Sequence, residues 1–183
     1  MRNIALLTLM AAVGMTSVAA YAAPSGNGGG TITFYGQAIP PTCEVNPGSS
    51  GSFSVALPIM STKSLSTAGA TAGATGFTIS LTSCAADGTR VRTMWEYGRT
   101  TSASGTLKND GTATGIEIQL VDWNSGSPNV MDLSKADGAQ NSQSVALVNG
   151  EANLRYAAQY YSPTGNTTGG SIETSVQYSL TYE

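Results

Sequence analysis

Residues 172–183 read IETSVQYSLTYE, and this stretch decides the fold. Ile172, Thr174, Val176, Tyr178, Leu180 and Tyr182 fall on one side of an extended chain, and all but Thr174 are apolar or aromatic. The intervening positions are Glu, Ser, Gln, Ser and Thr. A period of two is the signature of a strand with one buried face. Gly169-Gly170 precede the run, and the alternation holds to Tyr182, the penultimate residue. Two readings fit such a strand. It is an ordinary last strand paired inside its own domain, or its edge lies open, which is an aggregation hazard unless another strand covers it.

Working back along the chain, the same period recurs. ANLRYAAQYY (residues 152–161) alternates Leu154, Tyr156, Ala158 and Tyr160. SVALV (144–148) runs into Asn149-Gly150, a strong two-residue hairpin signal. GIEIQLVD (115–122), VRTMWEY (91–97), FTISL (77–81) and FSVAL (53–57) each read as strands. Ala86-Asp87-Gly88, Asn109-Asp110-Gly111, Asp137-Gly138 and Pro163-Thr164-Gly165 mark turns between them. The Ala/Thr/Gly/Ser-rich residues 61–75 read as a surface loop. No segment beyond residue 22 carries a convincing helical period, so the pattern predicts an all-β antiparallel sandwich.

Composition supports export and excludes several chemistries. Of 183 residues only 10% are charged, 40% are hydrophobic and 22 are glycine. With no histidine there is no Ser-His or Cys-His catalytic pair and no histidine metal ligand. Eight basic residues against eleven acidic ones, net charge -3, leave no electrostatic footprint for nucleic acid. Glu96, Asp110, Glu117, Asp122, Asp132 and Glu151 are scattered, as solvated surface carboxylates are, rather than paired for glycoside hydrolysis. Neither a phosphate loop nor a calcium loop motif is present. No catalytic residue, metal or cofactor is therefore expected.

The first residues read as an export leader. Arg2 supplies a positive start, residues 4–15 are apolar apart from Thr8, and Ala20-Tyr21-Ala22 places small residues at a cleavage site. The apolar run is too short to span a bilayer, so the mature chain is not expected to insert in a membrane. After export, Cys43 and Cys84 read as one disulfide, against the alternative of two free buried thiols. Two thiolates alone do not complete a metal shell.

Residues 23–30 (APSGNGGG) are glycine-rich, and TITFYGQAI (31–39) follows. One face of this short strand holds Ile32, Phe34, Gly36 and Ala38, and Pro40-Pro41 ends it. Gly36 weakens the strand, which suits either close approach of another backbone or a simple bulge.

Taken in order, these features resemble the pilin subunits of chaperone–usher (type 1-like) fimbriae. The resemblance rests on the leader, the glycine-rich start, TITFYG ahead of Cys43, FTISLTSC ending at Cys84, GIEIQLVD, Gly170 and penultimate Tyr182. It covers essentially all of the chain after the leader. It implies an incomplete immunoglobulin-like antiparallel sandwich lacking its final strand and completed by donor-strand complementation. Its segments would be a cleaved signal peptide (1–22), an N-terminal donor extension (23–41) and the pilin domain (42–183). Ile32, Phe34, Gly36 and Ala38 would be donor residues, and Val176, Tyr178, Leu180 and Tyr182 would lie on the acceptor strand that also meets a chaperone. The Pro40-Pro41 pair departs from the pattern and shortens the donor.

The implied partners are neighbouring pilin subunits, a periplasmic chaperone and an outer-membrane usher. The implied destination is an extracellular fimbrium on the cell surface, reached through the periplasm, where it supports cell adhesion. Two other readings remain: a minor pilus adaptor, or a secreted carbohydrate-binding adhesin whose Trp95, Tyr97, Trp123 and Tyr160-Tyr161 stack on sugar rings. Such aromatics more often fill cores or strand surfaces.

Overall fold

Two long strands organise the core. β2 (Thr71–Thr82) and β8 (Ala152–Tyr161) pair antiparallel, with Leu81 opposite Ala152 and Phe77 opposite Tyr156. The period of two turns Ile79, Leu81, Leu154 and Tyr156 onto one face, where all four are buried. The structure, a computed structural model, describes residues 32–36, 43–46, 50–85 and 88–183. The leader, Ala38, Pro40-Pro41 and the Ala86-Asp87 part of one turn lie outside the described residues.

Around this pair the first sheet runs β1-β2-β8-β5-β4, with β6 also on β5. Here β1 is Glu44–Asn46, β4 Leu107–Lys108, β5 Glu117–Asp122 and β6 Asn129–Val130. The second sheet runs β7-β3-β9, from β3 (Arg90–Trp95), β7 (Val145–Ala146) and β9 (Tyr178–Tyr182). Every pairing in both sheets is antiparallel. One core cluster joins the sheets, with Ile79, Leu120 and Leu154 from the first and Val91, Trp95 and Leu180 from the second. Phe77, Trp95, Tyr156 and Tyr178 form its aromatic centre; Trp95 stands edge-on to Phe77 and Tyr156 at ring separations of 6.3 and 5.3 Å.

The hairpin signal is met. Val148 and Glu151 exchange backbone bonds of 2.9 and 3.1 Å, and Asn149 and Gly150 take φ of 53° and 73°. Positive φ at both central positions is the type I′ turn, which matches strand twist. The Cys43–Cys84 disulfide is formed and ties the start of β1 to the end of β2.

Three sequence expectations change. Residues 61–75 are not one loop: Thr62–Leu65 is a 3₁₀ turn capped by Ser61, and β2 begins at Thr71. β8 offers ladder partners as far as Tyr161, so it carries β2 through a stretch whose own composition is turn-like, with a bulge between Ala72 and Thr75. Residues 53–57 alternate in burial, Phe53, Val55 and Leu57 half-buried, yet belong to no ladder. Likewise residues 172–177 alternate, while the β9 ladder starts only at Tyr178. A strand pattern fixes which side chains face in; a ladder needs a neighbour as well.

The chain divides into two units, residues Met1–Ala38 and Ile39–Glu183. In the first, residues 32–36 form no ladder, and Ile32 and Phe34 are 77% and 87% exposed.

The 41-residue separation between the cysteines sets a stability prediction. Replacing both by serine should cost about 4 kcal/mol through the entropy of the unlinked chain. Urea unfolding of the wild-type and Cys43→Ser/Cys84→Ser proteins measures this; an unchanged midpoint would show that the link constrains nothing.

Candidate functional site

Between residues 52–60 and residues 168–182 lies a groove of about 1530 Å³. Phe53, Val55 and Leu57 form one bank. Ile172, Val176, Tyr178, Leu180 and Tyr182 form the other. Phe77, Trp95, Ile118 and Leu120, from both sheets, form an apolar floor.

The second bank is half satisfied. Arg90 and Glu183 exchange two backbone bonds of 3.1 and 2.8 Å, and the register continues through Arg92–Thr181 and Met94–Ser179. Beyond the ladder, Glu96 N–H donates to Gln177 O, Thr100 Oγ1 to Ser175 O and Asp110 N–H to Glu173 O, at 2.9, 2.6 and 2.8 Å. All these partners on residues 173–183 are odd-numbered. In an antiparallel strand the even-numbered residues then turn their N–H and C=O groups to the opposite edge. Among the described residues, no backbone bond engages Ile172, Thr174 or Val176, or joins Tyr178, Leu180 or Tyr182 to a strand on that edge. Residues 52–60 likewise make no backbone–backbone bond among the described residues. Two edges with unused donors and acceptors therefore flank one apolar trough. Among the described residues, two buried polar atoms beside it, Trp95 Nε1 and Thr174 Oγ1, find no hydrogen-bond partner.

Each of Val176, Tyr178, Leu180 and Tyr182 lines this groove. Sequence reasoning missed the opposite bank, although the FSVAL alternation was its signal. It missed the floor contributed by Ile118 and Leu120 as well. Trp95 is buried in the core, Tyr160 and the largely exposed Tyr97 line the groove, and Trp123 is exposed outside it.

The outer, odd-numbered face of β9 is pinned by polar contacts. Thr181 Oγ1 donates to Asp137 Oδ2 at 2.9 Å, Arg92 Nε pairs with Asp137 Oδ1 at 3.1 Å, and the Arg92 guanidinium also meets the Glu183 carboxylate. Ser179 Oγ donates to Glu96 Oε1 at 2.8 Å. The hydrogen bond from Arg92, with a smaller one from Thr181, holds the Asp137 carboxyl below its ordinary range against the opposing effect of burial. Burial pushes the Tyr178 phenol up, which keeps it a protonated donor.

Comparison with known proteins agrees with this geometry. A family profile described as "Type-1 fimbrial protein, A" (FimA) matches residues 57–183. The major fimbrial subunit SMF-1 of Stenotrophomonas maltophilia is 40% identical over 162 residues, covering 84% of this chain and 92% of the relative. The chain belongs to the type-1 fimbrial protein family. The F17 fimbrial protein of Escherichia coli is 32% identical, covering 97% of each chain. Among solved structures, a chaperone-usher pilus subunit superposes with a TM-score of 0.58 at 22% identity, over 90% of this chain and all of that one. The P pilus rod subunit PapA gives 0.56 at 22% identity, over 78% and 99%. At that identity they speak to fold alone, and the fold is the incomplete immunoglobulin-like sandwich described above. The pilin is a structural subunit and not an enzyme. It assembles with other pilin subunits into surface fimbriae outside the cell.

Because the folded pKa of Asp137 is depressed, its contribution is present above the unfolded carboxylate pKa of about 3.9 and is lost as pH falls through the lower folded value. Asp137→Asn should therefore lower the melting temperature at neutral pH by roughly 1–4 °C, the scale of a partly exposed ion pair. The gap should close in acid once the wild-type carboxyl is protonated. Thermal melts of both proteins at neutral pH and near pH 2 check this; a gap that persists in acid would place the effect elsewhere.

Proposed function

We propose that the groove receives the N-terminal extension of a second copy of this chain, and that the fibre grows by repeating this exchange. The observation that carries the reading is the pair of facing backbone edges, on residues 52–60 and on the even-numbered residues of 172–182, with an apolar floor between them. A strand laid there gains ladder bonds on both sides and buries its alternate side chains, the strand-addition mode of recognition.

The segments follow from this. Residues 1–22 are a cleaved leader, 23–41 the extension and 42–183 the domain. Within TITFYGQAI, Ile32, Phe34, Gly36 and Ala38 face the floor, while Val176, Tyr178, Leu180 and Tyr182 accept them. Nine extended residues reach about 30 Å, enough to pass along residues 176–182, which span about 23 Å. Gly36 supports the assignment. Its φ lies outside the left-handed range, so backbone strain does not call for a glycine. The reason for one lies in a second copy, where it meets the groove.

Three or four buried side chains at about 1.5–3 kcal/mol each, with several hydrogen bonds at about 0.5–1.5 kcal/mol each, give a gross gain on the order of 10 kcal/mol. Ordering the extension offsets part of it. Donor and acceptor are different surfaces of one chain, so the contact is head to tail and builds an open filament. Before exchange, a periplasmic chaperone lends a strand to the same edge, and an outer-membrane usher is the place of the swap. The finished fimbria supports adhesion of the cell.

Gly36→Arg tests the donor. The variant should still be captured by its chaperone, because its groove is intact, but fibres should disappear from electron micrographs of the cells. Fibres of normal length would remove the donor assignment.

A further inference from the structure

A fibre that holds a cell carries tension, and in a head-to-tail chain that tension crosses every subunit. It enters where the extension joins the domain and leaves through the two banks that hold the neighbour's strand. Cys43 stands at the entry, after the extension and Thr42. The direct path onward from Cys43 is weak. β1 pairs with β2 at only Glu44–Thr82, Val45–Leu81 and Asn46–Ser80. The chain then runs on to residues 52–60, the first bank, which belongs to no ladder among the described residues. Side-chain bonds tie this bank to the sheets: Tyr178 Oη donates to Gly51 O at 2.7 Å and Tyr160 Oη to Pro58 O at 3.1 Å. Ladder bonds lie across the strands, so a short strand pulled from one end gives them up one at a time. Tension confined to this path would peel β1 and fall on the first bank alone.

The disulfide opens a second path from the same point. Cys84 lies just beyond β2, whose ladder with β8 runs from Thr71–Tyr161 to Leu81–Ala152. Its N–H donates to Gly150 O at 3.0 Å, which seats it against the hairpin that opens β8. From Cys84 the chain leads into β3, and β3 carries the second bank through bonds that run from Arg90–Glu183 to Glu96–Gln177. The linked cysteines therefore form a fork. One arm leads through β1 to the first bank, and the other leads through β3 to β9.

We infer that the Cys43–Cys84 disulfide divides the tension of the fibre between both walls of the strand-binding groove. The inference rests on the strand-accepting reading above. A strand drawn along its length between two loaded walls shares the force among all its ladder bonds. With one wall loaded, that wall is dragged past the other and the bonds fail in sequence. This role is separate from the link's stabilisation of the folded domain, which acts through the unfolded chain and needs no tension.

The test holds fimbriae, sheared from cells, between two beads at a series of fixed tensions and records the time to rupture. A phosphine reductant is then applied, with warming, until alkylation and mass spectrometry find Cys43 and Cys84 open. Fibres of the Cys43→Ala/Cys84→Ala variant give the same comparison without reductant. Rupture under force follows the rate of the forced step, so the logarithm of lifetime should fall about twice as steeply with tension once one wall takes what two had shared. Lifetimes shortened by one factor at every tension are the mark of general stabilisation and overturn the inference. An unchanged line overturns it as well. Gly36→Arg judges the strand-accepting reading separately: cells without fibres leave that reading standing whatever the slopes show, and cells with normal fibres remove both.

Discussion

Main-chain groups along one edge of residues 172–182 govern the rest of this molecule. A buried or half-buried N–H or C=O must find a partner or lose free energy of order 1–3 kcal/mol. The odd-numbered residues find theirs on β3 and on the loops that follow it, whereas the even-numbered ones face the trough. The same even residues carry the apolar side chains, so a single strand added at this edge would satisfy both the polar and the apolar demand. Backbone and side chain ask for the same partner, which is the physical basis of the strand-accepting reading proposed above.

Keeping the gap usable requires everything around it to be rigid. Gln140 illustrates how. It is buried, its amide donates to Trp95 O at 2.7 Å and its carbonyl accepts from Trp95 N–H at 2.9 Å. One side chain thus imitates a strand neighbour where the short β7 has ended, and fixes Trp95 in the groove floor. On the far side of β9, Arg92 gathers Asp137 and Glu183 and so fastens β9 from behind. The disulfide does comparable work at the end of β2. Gln140 and Arg92 lie outside the trough, where they constrain the edge without occupying it.

The legible part of this architecture was the part written in local periodicity. Residues 172–182 and 77–81 face in and out as their alternation demands, whereas 152–161 and 115–122 alternate only until three consecutive buried residues, 156–158 and 120–122, interrupt them; Asn149-Gly150 turns where positive φ serves. The groove-lining face of residues 172–182 was readable for the same reason. What escaped the sequence depends on partners distant in the chain. Residues 71–75 are strand because β8 extends that far, not because Thr-Ala-Gly-Ala-Thr favours it. FSVAL has the pattern of a strand and lacks a ladder, since pattern records the side-chain environment and is silent about the main chain. The bonds of Gln140, Tyr160 and Tyr178 join positions from 45 to 127 residues apart, a range that no local pattern encodes.

An open apolar edge is ordinarily a route to indiscriminate aggregation. Here the geometry narrows the choice of occupant. The trough is flanked on both sides by main chain, so a flat sheet edge approaching from solvent engages at most one bank. Only a single extended segment, free of its own neighbours, makes both sets of bonds. The floor adds a second filter, because alternate side chains must be apolar and of the right bulk to lie against Phe77, Trp95 and Leu120. In the donor reading proposed above, TITFYGQAI is the segment of this sequence suited to that place. It is short, apolar on one face and preceded in sequence by the glycine-rich APSGNGGG. Selectivity for a lone strand over a sheet edge follows from the trough having two walls. That is the physical difference between a fibre of defined repeat and an aggregate.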